Sequence, residues 1–115
     1  MLSVGTDIVK IERIKKLSND DKFLSKIFTY NELEYCNSYS DPVIHLSGKY
    51  AAKEAVKKAL LSANLFEHIS MKNIEVLNNE DKSPYIHLST IKHVKCNVSI
   101  SHDGDYAIAF VIIEK

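Results

Sequence analysis

The sequence predicts an α+β fold: an antiparallel sheet with one long, central, alanine-rich helix packed on it. Three observations carry that prediction. The stretch SGKYAAKEAVKKAL, Ser47 to Leu60, is built almost wholly from strong helix formers. The second half of the chain alternates apolar and polar residues as strands do, and Asp103-Gly104 stands between two such runs as a hairpin signal. At 115 residues the chain has the size of one domain, 1–115, with room for a single core.

The elements follow in order. Leu2, Val4, Thr6 and Ile8 alternate with Ser3, Gly5 and Asp7 as a short strand, which passes into helical spacing through Ile8, Ile11 and Ile14. Lys10, Arg13 and Lys16 lie opposite those isoleucines and form a basic stripe around the only arginine in the chain. In FTYNEL, Thr29 and Glu32 make a capping box and Phe28 can staple onto Leu33, so a helix starts here. Asp41-Pro42 breaks that segment, and the alanine-rich helix follows with Ser47 as its expected N-cap. At about 100° per residue, Ala51, Ala52, Ala55, Val56, Ala59 and Leu60 share one face. Tyr50, Lys53, Glu54 and Lys57 share the other. Ile74–Leu77 and Tyr85–Leu88 then flank a turn ending in Ser83-Pro84, and Asn97–His102 and Tyr106–Ile113 flank Asp103-Gly104. Ala107, Ala109 and Val111 fall on one strand face, small enough to receive the alanines of the helix.

Composition removes several classes of function. Acidic and basic residues balance to a formal charge of zero, so the chain lacks the overall field of a general nucleic-acid binder. Its two cysteines, Cys36 and Cys96, have no paired spacing, which argues against a zinc site or a disulfide scaffold and suits a reducing cytoplasm. Neither a signal-peptide pattern nor an apolar run of membrane-spanning length is present, so a cytoplasmic protein without a membrane partner is expected.

Few groups can carry chemistry. Asp7 stands at a strand-to-helix junction, where capping is the ordinary role of an aspartate, and Gly5 two residues earlier would leave open space beside its carboxylate. Glu54 precedes Lys57 and Lys58 by three and four residues, an ordinary helix-stabilising arrangement. Taken together, Asp7 and Glu54 are two hard oxygen donors of the kind magnesium accepts, and Lys49, Lys53 and Lys58 could serve substrate phosphates. His102 ends a strand beside the hairpin turn.

Four runs, GTDIVKIERI, FTYNELEY, SGKYAAKEAVKKAL and VSISHDGDYAIAFVII, closely resemble the holo-(acyl-carrier-protein) synthases, the small bacterial phosphopantetheinyl transferases, in order and spacing over nearly the whole chain. The resemblance implies a homotrimer with active sites between protomers, moving 4'-phosphopantetheine from coenzyme A to a serine of apo acyl carrier protein in fatty acid biosynthesis. It implies that Asp7 and Glu54 hold Mg2+, that Lys58 contacts phosphate, and that His102 lies near the coenzyme A phosphates. Asp7, Glu54, Lys58 and His102 are thus the catalytic set, with Lys49, Lys53, Lys58 and His102 binding coenzyme A. Arg13, with Lys10, Lys16 and Lys22, would receive the acidic carrier. Ser83 occupies the place of the family's usual turn glycine, and Lys49 stands where many members have arginine. Glu54, His102 and a metal-bound water all remain open as the base for the serine proton. Two other readings are a hot-dog-fold thioesterase or dehydratase, which needs no metal, and a non-catalytic module that binds an acidic partner.

Overall fold

The computed structural model describes residues 1–65 and 68–115. Its elements are β1 (Leu2–Lys10), α1 (Ile11–Leu17), α2 (Asp21–Ile27), α3 (Tyr30–Asn37), α4 (Pro42–Ser62), a 3-10 turn (Met71–Asn73), β2 (Ile74–Asn78), β3 (Pro84–Leu88), β4 (Lys95–Asp103) and β5 (Tyr106–Glu114). β1, β5 and β4 form an antiparallel sheet in that order, and β2 and β3 form an antiparallel pair whose β3 lies beside β4. The predicted α+β fold, with a long helix on an antiparallel sheet, is the observed one.

The long helix begins earlier than Ser47. Pro42 occupies its first turn, where the missing N–H costs nothing, so the proline starts α4 instead of ending what precedes it. Ser47 is therefore an interior residue, and its Oγ donates back to Val43 O at 2.7 Å. Ala51, Ala52, Ala55, Val56, Ala59 and Leu60 are fully buried, and Ala107, Ala109 and Val111 on β5 meet them from the sheet. α3 starts at the predicted capping box: Glu32 N–H donates to Thr29 Oγ1 at 3.2 Å, and Thr29 N–H donates to Glu32 Oε1 at 2.8 Å. Lys10 ends β1 and lies outside α1, because pairing with Tyr106 keeps the strand extended through that residue.

The faces of β1 invert the usual rule. Ser3, Gly5 and Val9 point to α4, while Leu2, Val4 and Ile8 are exposed on the opposite face. Close approach of the helix explains this. A Cβ on Gly5 would lie 2.0 Å from Ala55 O, and Ser3 Oγ donates to Ala59 O at 2.7 Å, so only small residues fit against the α4 backbone. The expected open space beside Gly5 is thus occupied by the helix itself.

Candidate active site

The seam between β1 and α4 positions the first group of residues. Lys58 Nζ donates to Asp7 Oδ1 and to Thr6 O, both at 3.1 Å. Glu54 sits one turn before Lys58 on the same stripe of the helix and is half-buried. Asp7 and Lys58 therefore meet at this seam, with Glu54 one helical turn away along α4. Among the described residues no group of three or more His, Cys, Asp or Glu side chains comes together. A two-carboxylate donor set fits magnesium, which leaves its remaining positions to water and phosphate. Asp7 already balances one cation here, and its carboxylate is 17% exposed, so water and substrate can reach it.

A cleft of about 390 Å³ opens on the other flank of α4. Lys49, Gly48 and His45 line it from α4, Tyr35 and Tyr39 from α3 and its end, Asn78, Lys82 and Pro84 from the β2–β3 hairpin, and Ile100 and His102 from β4. Tyr39 stacks on His45 with ring centroids 3.8 Å apart at 21°, and Tyr35 and Tyr39 join their hydroxyls at 2.9 Å. Burial and that bond push the Tyr35 phenol up to about 12, so it stays neutral. Four basic groups and no carboxylate line the cleft.

The sheet register separates the two groups. Asp7 pairs with Ala109, which pairs on its other side with Ile100; His102 pairs with Ala107, whose other partner is Val9. Asp7 and His102 thus belong to opposite edges of the three-stranded sheet, two strand spacings or about 10 Å apart in the sheet direction. α4 lies above the strand between them. One chain brings Asp7 and Lys58 into contact but holds His102 in the other cleft.

Lys53 departs from expectation. It is fully buried, and its ammonium uses all three hydrogens on Glu32 Oε1 (2.7 Å), Met71 O (2.9 Å) and Ile74 O (2.6 Å). No donor remains for a phosphate, so Lys53 leaves the coenzyme A-binding set. Glu32 Oε2 in turn accepts from Val76 N–H at 2.7 Å, so this pair ties α3, α4 and β2 together. Burial lowers the Lys53 pKa and Glu32 opposes the shift. Lys49 is likewise buried and donates to Val76 O and Asn78 Oδ1, both at 2.6 Å, but its third hydrogen is uncommitted at the cleft.

Lys10, Arg13 and Lys16 line one shallow groove on α1 and the end of β1, with the Arg13 guanidinium 5.7 Å from the Tyr50 ring centroid. Lys22 lies outside that groove, in the first turn of α2, where its backbone N–H is capped by Asp20. Neither thiol is poised as a nucleophile. Burial pushes Cys36 up to about 12, against the opposing field of Lys49, and Cys96 up to about 11.

Sequence reasoning missed His45, Tyr35, Tyr39, Asn78 and Lys82 as parts of one cleft. Tyr35, Tyr39 and His45 share a concentration of aromatic and polar residues after FTYNEL, whereas Asn78 and Lys82 come from the distant β2–β3 hairpin; strand pairing and the start of α4 at Pro42 bring them together. In the β2–β3 turn the left-handed backbone falls on Lys82, φ 73°, one residue before Ser83, so Lys82 holds the position that favours glycine.

This architecture, with small residues packed between a long helix and β1 and a carboxylate–ammonium pair at the seam, matches known proteins. The family model described as the 4'-phosphopantetheinyl transferase superfamily matches residues 3–111, so the chain belongs to that superfamily. A holo-[acyl-carrier-protein] synthase of Thermodesulfovibrio yellowstonii is 46% identical over 112 residues, covering 96% of each chain. One of Protochlamydia amoebophila is 39% identical over 118 residues, again covering 96% of each. An ACPS–CoA complex from Chronobacterium ammoniagenes superposes with a TM-score of 0.87 at 26% identity, over 99% of this chain and 97% of that one. Within the superfamily, these relatives put the chain among the holo-[acyl-carrier-protein] synthases.

Proposed function

We propose that this chain transfers 4'-phosphopantetheine from coenzyme A to a serine of apo acyl carrier protein, releasing adenosine 3',5'-bisphosphate, in fatty acid biosynthesis. The single observation that carries the proposal is the seam where Lys58 bonds Asp7 beside Glu54, within a fold shared with an ACPS–CoA complex. Asp7 and Glu54 would hold Mg2+, which when bound neutralises the charge that grows on the pyrophosphate as the serine attacks. Lys58 is 56% exposed and free to turn from Asp7 to a phosphate oxygen. The cleft on the far flank, with Lys49 and His102 and no acid, suits the nucleotide end of coenzyme A. Lys10, Arg13 and Lys16 would receive the acidic surface of the carrier, with Lys22 alongside.

In this reading a second copy supplies one of the two clefts. Leu2, Val4, Ile8, Tyr106, Ile108 and Phe110 leave an apolar sheet face, each residue between 43% and 66% exposed. Copies of this chain would cover that face, and the resemblance makes the assembly a homotrimer with sites between protomers. No described helix is long and apolar enough to cross a membrane, and both cysteines are free, consistent with a cytoplasmic enzyme. The test is mass spectrometry of apo carrier protein incubated with this protein, coenzyme A and magnesium. A mass gain of one phosphopantetheine supports the function; an unchanged carrier overturns it.

A further inference from the structure

We propose that Lys82 is a specificity-determining phosphate ligand, the residue that distinguishes coenzyme A from its form lacking the 3'-phosphate. The inference rests on the functional reading above and deepens it. Lys82 adopts left-handed backbone, φ 73°, which glycine takes freely and a lysine takes only when its surroundings hold it there. They do so through a relay: Lys49 Nζ donates to Asn78 Oδ1 at 2.6 Å, and Asn78 Nδ2 donates to Lys82 O at 2.9 Å. Lys82 N–H also donates to Asn79 O at 2.9 Å.

This fixed turn presents the Lys82 ammonium at the cleft, 5.7 Å from the Tyr39 ring centroid. Among the described residues its ammonium has no hydrogen-bond acceptor and no carboxylate within 4.0 Å, whereas Lys49 has already committed two hydrogens to the protein. Lys82, Lys49, His45 and His102 face the same space without an acid among them. Mutual repulsion is visible in His45, whose pKa is lowered by burial first and then by His102 and Lys49, with a smaller part from Lys82 and with Asp41 opposing. An anion in the cleft removes that repulsion. The Tyr39–His45 stack beside it offers a flat aromatic wall. A purine nucleotide with a phosphate on its ribose matches both features, and the 3'-phosphate is the group that falls to the uncommitted lysine.

The experiment uses the full chain and its Lys82→Gly and Lys82→Arg variants, with calorimetric binding of coenzyme A, 3'-dephospho-coenzyme A, adenosine 3',5'-bisphosphate and adenosine 5'-monophosphate. Glycine suits the backbone at this turn, so Lys82→Gly should unfold at the same temperature as wild type or higher. Its Kd for coenzyme A and for adenosine 3',5'-bisphosphate should rise tenfold or more. Its affinities for the two ligands without a 3'-phosphate should stay unchanged, and Lys82→Arg should restore most of the loss. Equal weakening of all four ligands, or no weakening of any, overturns the role of Lys82. Failure of the wild type to modify carrier protein would instead sink the functional reading, and the bisphosphate titration would still decide the role of Lys82.

Discussion

At the residue scale, the same side-chain type takes opposite roles according to what surrounds it. Lys53 and Lys58 are five positions apart on one helix, yet one is fully buried and the other is 56% exposed. Lys53→Met leaves Glu32 charged and buried without its partner, which costs about 3 to 5 kcal/mol; urea unfolding should show that loss. Asp7→Ala and Glu54→Gln should behave in the opposite way. Neither empties the apolar core, and the exposed Lys58–Asp7 pair contributes under about 1 kcal/mol. Transfer at saturating magnesium should nearly vanish in both variants while the unfolding temperature holds, and near-normal transfer would return Asp7 and Glu54 to surface roles. His45 adds a pH dependence. Its ordinary pKa is 6.5 and the folded value is lower, so its contribution to stability is complete above 6.5 and is lost as pH falls toward the folded value. Thermal unfolding of wild type against His45→Gln from neutral pH downward should show a steeper loss in the wild type, and adenosine 3',5'-bisphosphate should reduce the difference.

At the element scale, the contact between β1 and α4 decides most of the architecture. A methyl group at Gly5 would meet Ala55 O at 2.0 Å, and a helix backbone cannot yield as a flexible side chain can. Gly5→Ala should therefore destabilise the chain by about 4 kcal/mol or more and disturb Asp7 two residues on, a loss that urea unfolding and transfer assays will both register. The basic groove on α1 is a surface feature and should respond differently. Arg13→Glu places a like charge against an acidic carrier, so the apparent affinity for carrier protein should fall strongly while that for coenzyme A holds. Salt should weaken wild-type transfer and have little effect on the variant, since screening acts on exposed charges beyond about 10 Å at 0.1 M. Equal carrier affinities at low salt would remove Arg13 from docking.

For the whole molecule, the exposed sheet face and the separation of the two clefts are what the proposed assembly would account for. The apolar face of β1 and β5 carries Phe110 and Ile8, and a charge placed there opposes burial against another copy. Light scattering should find a trimer for the wild type and a smaller species for Phe110→Lys. Transfer should fall with the assembly, because each site would draw on two protomers. A fully active wild-type monomer would contradict the shared site.

Local patterns are legible in the sequence because they depend on neighbours in the chain. The capping box at Thr29 and Glu32, the alanine face of α4 and the β4–β5 hairpin are all of this kind, and each is found in the structure, although the hairpin turns on Gly104-Asp105, one residue after the expected Asp103-Gly104, because Asp103 still pairs with Tyr106. Asp7, Glu54, Lys58 and His102 also stand out in the sequence, but as members of motifs, with nothing in their spacing to say which of them meet. Tertiary structure decided those matters that depend on what lies across the chain. Lys53 sits at a helical position that looks solvated, and only the arrival of Glu32 and two backbone carbonyls makes its burial tolerable. The apolar side of β1 looks like its buried side until the close approach of α4 admits only small residues at Ser3 and Gly5. Lys82 owes its left-handed backbone to Asn78, whose side chain is held by a lysine on another element. Periodicity records which residues share a face, and the space left by the neighbouring element determines which face is buried.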